Sequence, residues 1–125
     1  MEVVDDLEAT VVRVGSRIGL DPDSAYFFGV ALREALTNAI RHGNARAPGS
    51  PVQIRLVVER RCLSVAVRDW GPGFEIASLP DPAASENRCR GCGRGIFFMR
   101  RFADEVVFHH PEGGGQAVEL RKRLP

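Results

Sequence analysis

Between residues 52 and 73 the chain reads Val52-Gln-Ile-Arg-Leu-Val-Val-Glu59-Arg-Arg-Cys62-Leu-Ser-Val-Ala-Val-Arg-Asp69-Trp-Gly71-Pro-Gly73, two alternating runs closed by an acid beside two glycines. Alternation with a period of two is the mark of a strand buried on one face. Val52 to Glu59 is predicted to be one such strand and Cys62 to Asp69 the next, with Arg60-Arg61 as the tight turn between them. In the second run Leu63, Val65 and Val67 point one way, and Asp69 continues their parity. An acid is therefore expected to face inward at the end of its strand.

On the N-terminal side, Leu7, Val11, Val14 and Ile18 fall at helical spacing, with Asp5 and Asp6 available as a cap and Gly19 as the stop. Asp21-Pro22 reads as an N-cap followed by proline at the first helical position, opening a longer helix to about His42 that ends at Gly43-Asn44. Residues 44–51 are turn-rich. On the C-terminal side, residues 71–95 carry five glycines and three prolines with little periodicity, and a connection of that length inside a compact domain is usually functional or disordered. Ile96 to Phe102 is expected to be helical, Glu105 to His109 a strand, Pro111 to Gly115 a turn and Gln116 to Arg123 a closing strand. The order α-α-β-β-loop-α-β-β predicts an α/β two-layer sandwich: a mixed, mostly antiparallel sheet of about four to five strands with three helices on one face.

The chain of 125 residues has the length of one ordinary domain, taken here as residues 1–125. With 44% apolar and 26% charged residues its composition is globular. A formal charge of +1 gives no general nucleic-acid footprint, although Arg88, Arg90, Arg94, Arg100 and Arg101 crowd one region. No apolar run approaches the roughly 20 residues that span a bilayer. Glu2, Asp5 and Asp6 stand where a secretory signal would be basic, so a cytoplasmic place is expected. Cys89-Arg-Gly-Cys92 has a zinc or redox spacing. No second pair completes a zinc site, so two reduced thiols are expected, with a regulatory disulfide as the alternative.

Three blocks carry chemistry. Glu34 and Asn38 stand one turn apart on the second helix, about 40° from each other, while Phe28, Leu32, Ala35, Leu36, Ala39 and Ile40 form the core stripe. An amide oxygen is a hard, neutral ligand suited to Mg²⁺, and a carboxylate one turn away can take a proton from an attacking hydroxyl or water. Asp69, costly to bury without a donor, would suit the exocyclic amine of adenine. Gly71 and Gly73 beside it let the backbone turn and leave room for a flat ring. Gly91, Gly93 and Gly95 precede a helix, and glycine-loop amides with a helix N-terminus form an anion site to which Arg94 adds charge. This is neither a Walker motif nor a dinucleotide fingerprint. Each block alone has an ordinary structural explanation; their order and spacing point to Mg-ATP.

The stretches Glu34-Ala-Leu-Thr-Asn38-Ala-Ile-Arg-His42-Gly, Arg68-Asp-Trp-Gly-Pro-Gly-Phe74 and Gly93-Arg-Gly-Ile-Phe-Phe-Met-Arg-Arg-Phe-Ala-Asp-Glu-Val106 resemble the GHKL ATPase superfamily, and within it the stand-alone anti-sigma-factor serine kinases of bacteria. The resemblance covers roughly residues 20–123. It implies the Bergerat ATP-binding fold, with Glu34 as general base, Asn38 holding Mg²⁺, and Asp69, Gly71, Gly73, Phe74, Gly91, Gly93, Arg94 and Gly95 around ATP under a lid at about residues 75–94. Arg41 is a lesser candidate for phosphate contact, and His42 reads as a structural residue at the helix end. The resemblance also implies the activity, a Mg-ATP-dependent protein serine/threonine kinase. The partners it implies are a sigma factor, an anti-sigma-factor antagonist protein and, where the family's dimer is retained, a second copy. The alternative is an ATP-binding module that sequesters a partner without phosphotransfer. The family usually opens with a β-strand, which here only residues 1–4 could supply. A histidine autokinase would need a phosphoacceptor hairpin for which the chain has no room.

Overall fold

The computed structural model describes residues 2–43, 49–71 and 94–125. Helix α1 is Glu2–Arg17, α2 is Pro22–Asn38 and α3 is Arg94–Phe102; strands β1, β2, β3 and β4 are Gln53–Glu59, Cys62–Asp69, Glu105–His109 and Gln116–Arg123. The sheet has the order β1-β2-β4-β3, and every neighbouring pair is antiparallel. The expected four to five strands are thus four among the described residues, and the expected mixed sheet is wholly antiparallel there. All the helices lie on one face, as the sequence predicts.

Helix α1 begins at Glu2, five residues ahead of the predicted Leu7, and residues 2–4 are helical rather than the strand with which the family usually opens. Val4 and Val11 are buried, which adds a further turn of apolar spacing ahead of Leu7. Asp5 and Asp6 therefore sit inside the helix and do not cap it; Asp5 and Glu2 instead place negative charge in the first turn, with Arg17 in the last, as the helix dipole favours. Gly19 at φ +112° ends it, and the amide of Leu20 returns to the carbonyl of Gly15 at 2.9 Å.

Helix α2 starts as its sequence dictates. The carboxylate of Asp21 accepts from the Ser24 amide at 3.0 Å and from the Ser24 hydroxyl at 2.6 Å, and Pro22 follows at the first helical position. Its α-helical hydrogen bonding stops at Asn38, and Ala39–Gly43 continues as a π-helical turn. Phe28, Leu32, Ala35 and Leu36 are buried against Leu63 and Val65 of β2, Leu120 of β4 and Met99 of α3 in one core. Helix α1 reaches the sheet, where Gly15 lies against Leu63 of β2, and packs along α2. The contact is close at Gly29, where a Cβ would lie 2.7 Å from a Val12 methyl, and Arg33 reaches across to Glu8 and Asp5.

Strand β2 alternates as read, with Leu63, Val65 and Val67 buried. Strand β1 does not bury one whole face as its pattern predicts. Leu56 is 37% and Val58 49% exposed, because β1 lies at the edge of the sheet. The turn between the two strands holds Arg60 and Arg61 both at positive φ, the conformation that a two-residue hairpin demands even of non-glycine residues. Among the described residues no helix is long and apolar enough to cross a membrane.

Candidate functional site

Asp69 ends β2 on the inner face, half-buried rather than fully buried. One of its carboxylate oxygens accepts a hydrogen bond from the Gly71 amide at 2.8 Å, closing a turn that holds the acid in place. Gly71 itself is buried. Across the ladder, Asp69 is in register with Gln116 at the start of β4. Gln116 is 5% exposed and is the buried polar side chain of the described core. A carboxylate has about four lone-pair sites, and an amide both donates and accepts. Asp69 and Gln116 stand side by side at one end of the inner face.

The β3–β4 hairpin is pressed onto this end of the sheet. Gly115 has φ +81°, and a Cβ there would lie 2.0 Å from the carbonyl oxygen of Asp69. Arg68, on the outer face, donates to the carbonyls of Gly114 at 2.6 Å and Glu112 at 3.3 Å, and its guanidinium lies 4.4 Å from the ring centroid of Trp70. Its Nε is buried without a hydrogen-bond partner among the described residues. Arg68 clasps the hairpin tip to the residues flanking Asp69.

Glu34 and Asn38 are both half-buried on α2, outside the fully buried stripe, as the helical spacing predicts. Asn38 is the last α-helical residue, and the π-helical turn that follows packs against β2. Irregular turns of this kind recur at functional positions in helices. Among the described residues no three His, Cys, Asp or Glu side chains converge to hold a metal. Mg²⁺ bound to nucleotide phosphates needs only one or two protein ligands, and a single amide oxygen such as that of Asn38 fits that requirement.

Arg94 and Gly95 open α3, so the helix starts two residues earlier than Ile96. Gly73, Phe74, Gly91, Gly93, the thiols of Cys89 and Cys92, and the expected lid at about residues 75–94, save its last residue, lie outside the described residues. The structure adds three residues that the spacing of motifs does not find: Gln116, Gly115 and Arg68. The sequence signal for the first is its parity with Val118 and Leu120.

The histidine kinase-like ATPase domain family matches residues 2–122. An anti-sigma F factor of Anoxybacillus flavithermus is 32% identical over 109 residues, covering 84% of this chain and 75% of that protein. The serine-protein kinase RsbW of Bacillus subtilis is 29% identical over 130 aligned positions, covering 98% and 79%. A mycobacterial sensor histidine kinase, MprB, shares the fold with a TM-score of 0.62 at 19% identity, over 98% of this chain and 92% of that one. With the match running nearly end to end over the sheet, its helices and the Asp69 turn, the chain belongs to the histidine kinase-like ATPase domain family.

Proposed function

We propose that this protein is a Mg-ATP-dependent serine/threonine kinase of the partner-switching kind, which phosphorylates a small anti-sigma-factor antagonist and binds a sigma factor. The pairing of Asp69, fixed by the Gly71 amide, with buried Gln116 on one inner face is the observation that carries the nucleotide part. Relatives that are named as an anti-sigma F factor and a serine-protein kinase support the rest.

In this reading the adenine amine donates to Asp69, and Gly71, Gly73 and Phe74 border the ring. Gly91, Gly93, Arg94 and Gly95 meet the phosphates. Asn38 would hold Mg²⁺, which when bound supplies charge neutralisation at the phosphates. The acceptor hydroxyl attacks the γ-phosphorus as the bond to the β,γ-bridging oxygen breaks; ADP leaves and Glu34 takes the hydroxyl proton. Phosphoryl transfer asks mainly for positioning and electrostatics, so a base, an amide and glycine-loop N–H groups are a sufficient set. The cytoplasm, where sigma factors act, is the compartment assigned. A second copy of the chain is a further partner in this reading, supported by exposed Leu56 and Val58 on edge strand β1.

Glu34→Ala tests the reading. Labelled phosphate should fail to reach the antagonist, a loss of at least about a hundredfold in rate, while ADP affinity measured by calorimetry stays near that of the wild type. Transfer retained in the variant would remove Glu34 from the mechanism. A wild type that forms the complex with no labelled product would be a sequestering module instead.

A further inference from the structure

Five aromatic rings form a continuous ridge along the seam of α2 and α3. Tyr26 meets Phe27 edge to face at 5.4 Å between centroids; Phe27 stacks on Phe102 at 4.7 Å, Phe102 on Phe98 at 5.9 Å, and Phe98 meets Phe97 at 5.7 Å. The core does not account for the ridge, because Tyr26, Phe27 and Phe97 are 56%, 40% and 41% exposed. Helix α3 buries Ile96, Met99 and Ala103 just beyond its end, so its apolar requirement is met without the outward rings. A contiguous exposed aromatic surface of this kind marks an interaction site.

Two further observations say what it meets. Phe27 and Glu34 are seven residues apart on α2, which places them on the same helix face about 10 Å from each other along the axis. The ridge therefore continues the line of Glu34 and Asn38. Beside it, Arg101 follows Phe97 by four residues and Phe98 by three, within side-chain reach of both on the helix surface. Arg100 and Arg101 are exposed and make no ion pair among the described residues. Apolar rings flanked by unpaired guanidinium groups complement a segment carrying apolar side chains and carboxylates.

We propose that this ridge, with Arg100 and Arg101, is the docking surface for the phosphoacceptor protein, which lays an acidic, apolar-anchored segment along α2 and α3 and so presents its hydroxyl to Glu34. The proposal rests on the kinase reading above. A second copy of the chain fits less well, since it would bring no excess of carboxylates to the two arginines.

Kinetics with the purified antagonist protein as the probe test it. Phe27→Ser and Phe97→Ser should each raise KM for the antagonist by at least about tenfold. Both should leave kcat and the ADP dissociation constant within about twofold of the wild type. The conservative Phe27→Leu should restore most of the lost affinity. Arg101→Glu, at an exposed position that folding does not depend on, should raise KM and flatten its dependence on salt. A wild type that phosphorylates the antagonist with KM unmoved in all these variants would overturn the docking surface alone. A wild type that neither binds nor phosphorylates it would overturn the kinase reading and the docking surface together. If the wild type binds without transfer, calorimetric affinity replaces KM and the same shift is required. Ridge variants that convert a sedimenting dimer to monomer without changing the antagonist's KM would assign the ridge to a second copy and overturn the proposal.

Discussion

Gly115 is where the hairpin meets the candidate base site, and two constraints fall on it together. Its φ of +81° is unfavourable for any L side chain, and a Cβ would stand 2.0 Å from the Asp69 carbonyl, a backbone atom that cannot swing aside. Gly115→Ala should cost about 2 kcal/mol or more, lowering the melting temperature by roughly 5–10 °C. It should weaken ADP binding as well, because relief of the clash moves Asp69. A thermal melt and a calorimetric titration of the same sample check both. Asp69 is legible in the sequence because three apolar residues of the same parity lead up to it. Gln116 is legible as the first residue of the predicted closing strand, but its place opposite Asp69 is not, because that needs the register of β4 on β2. The clasp made by Arg68 is not legible at all, since it joins residues 44 and 46 positions apart.

Helix α2 carries Glu34, Asn38 and Phe27, so whatever fixes its start helps to set the site. Asp21 accepts from both the amide and the hydroxyl of Ser24, and the hydroxyl bond, followed by the amide bond, holds its carboxyl below the usual aspartate range. A carboxylate with a depressed folded pKa contributes stability above its unfolded pKa and loses it as pH falls through the folded value. Asp21→Ala should therefore lower the melting temperature at pH 7, and the gap from the wild type should close as pH falls below the ordinary aspartate range. A gap unchanged with pH would deny the carboxylate its role. The cap is legible because Asp-Pro ahead of a helical pattern has few other meanings. The π-helical turn at Ala39–Gly43 is not, because apolar spacing runs on through Ala39 and Ile40 while the hydrogen-bond pattern changes beneath it. At α1, Asp5 has the composition of a cap but is spent on Arg33, whose side-chain hydrogen bond pulls its carboxyl down. The partner lies 28 residues away, beyond the reach of local pattern.

The helices share one core with the sheet, α1 and α3 each packed on α2, and β1 at the sheet edge is left partly uncovered. Alternation shows that a strand has an apolar face; it cannot show whether anything covers that face. Leu56 and Val58 are the residues on which that distinction falls. The C-terminal end of β2 brings Asp69, Gln116 and Gly115 together, and the turn that ends α2 packs on the same strand, with no covalent tie between them. Nucleotide bound there would join the sheet, the hairpin and α2, and would bind the folded state alone. Such a ligand at a hundred times its dissociation constant adds about 2.7 kcal/mol to stability, which for a domain of this size is roughly 10 °C in melting temperature. ADP with Mg²⁺ should produce that shift. Asp69→Asn should abolish most of it at the same ADP concentration. Asparagine offers a single acceptor oxygen where the carboxylate has two, and its amine would face the Gly71 N–H as donor against donor if the oxygen turned toward the base. A GDP control separates base recognition from phosphate binding: guanine presents a carbonyl where adenine presents an amine, so GDP should stabilise the wild type far less than ADP does. An equal shift with both nucleotides would mean that the phosphates alone are held and that Asp69 does not read the base.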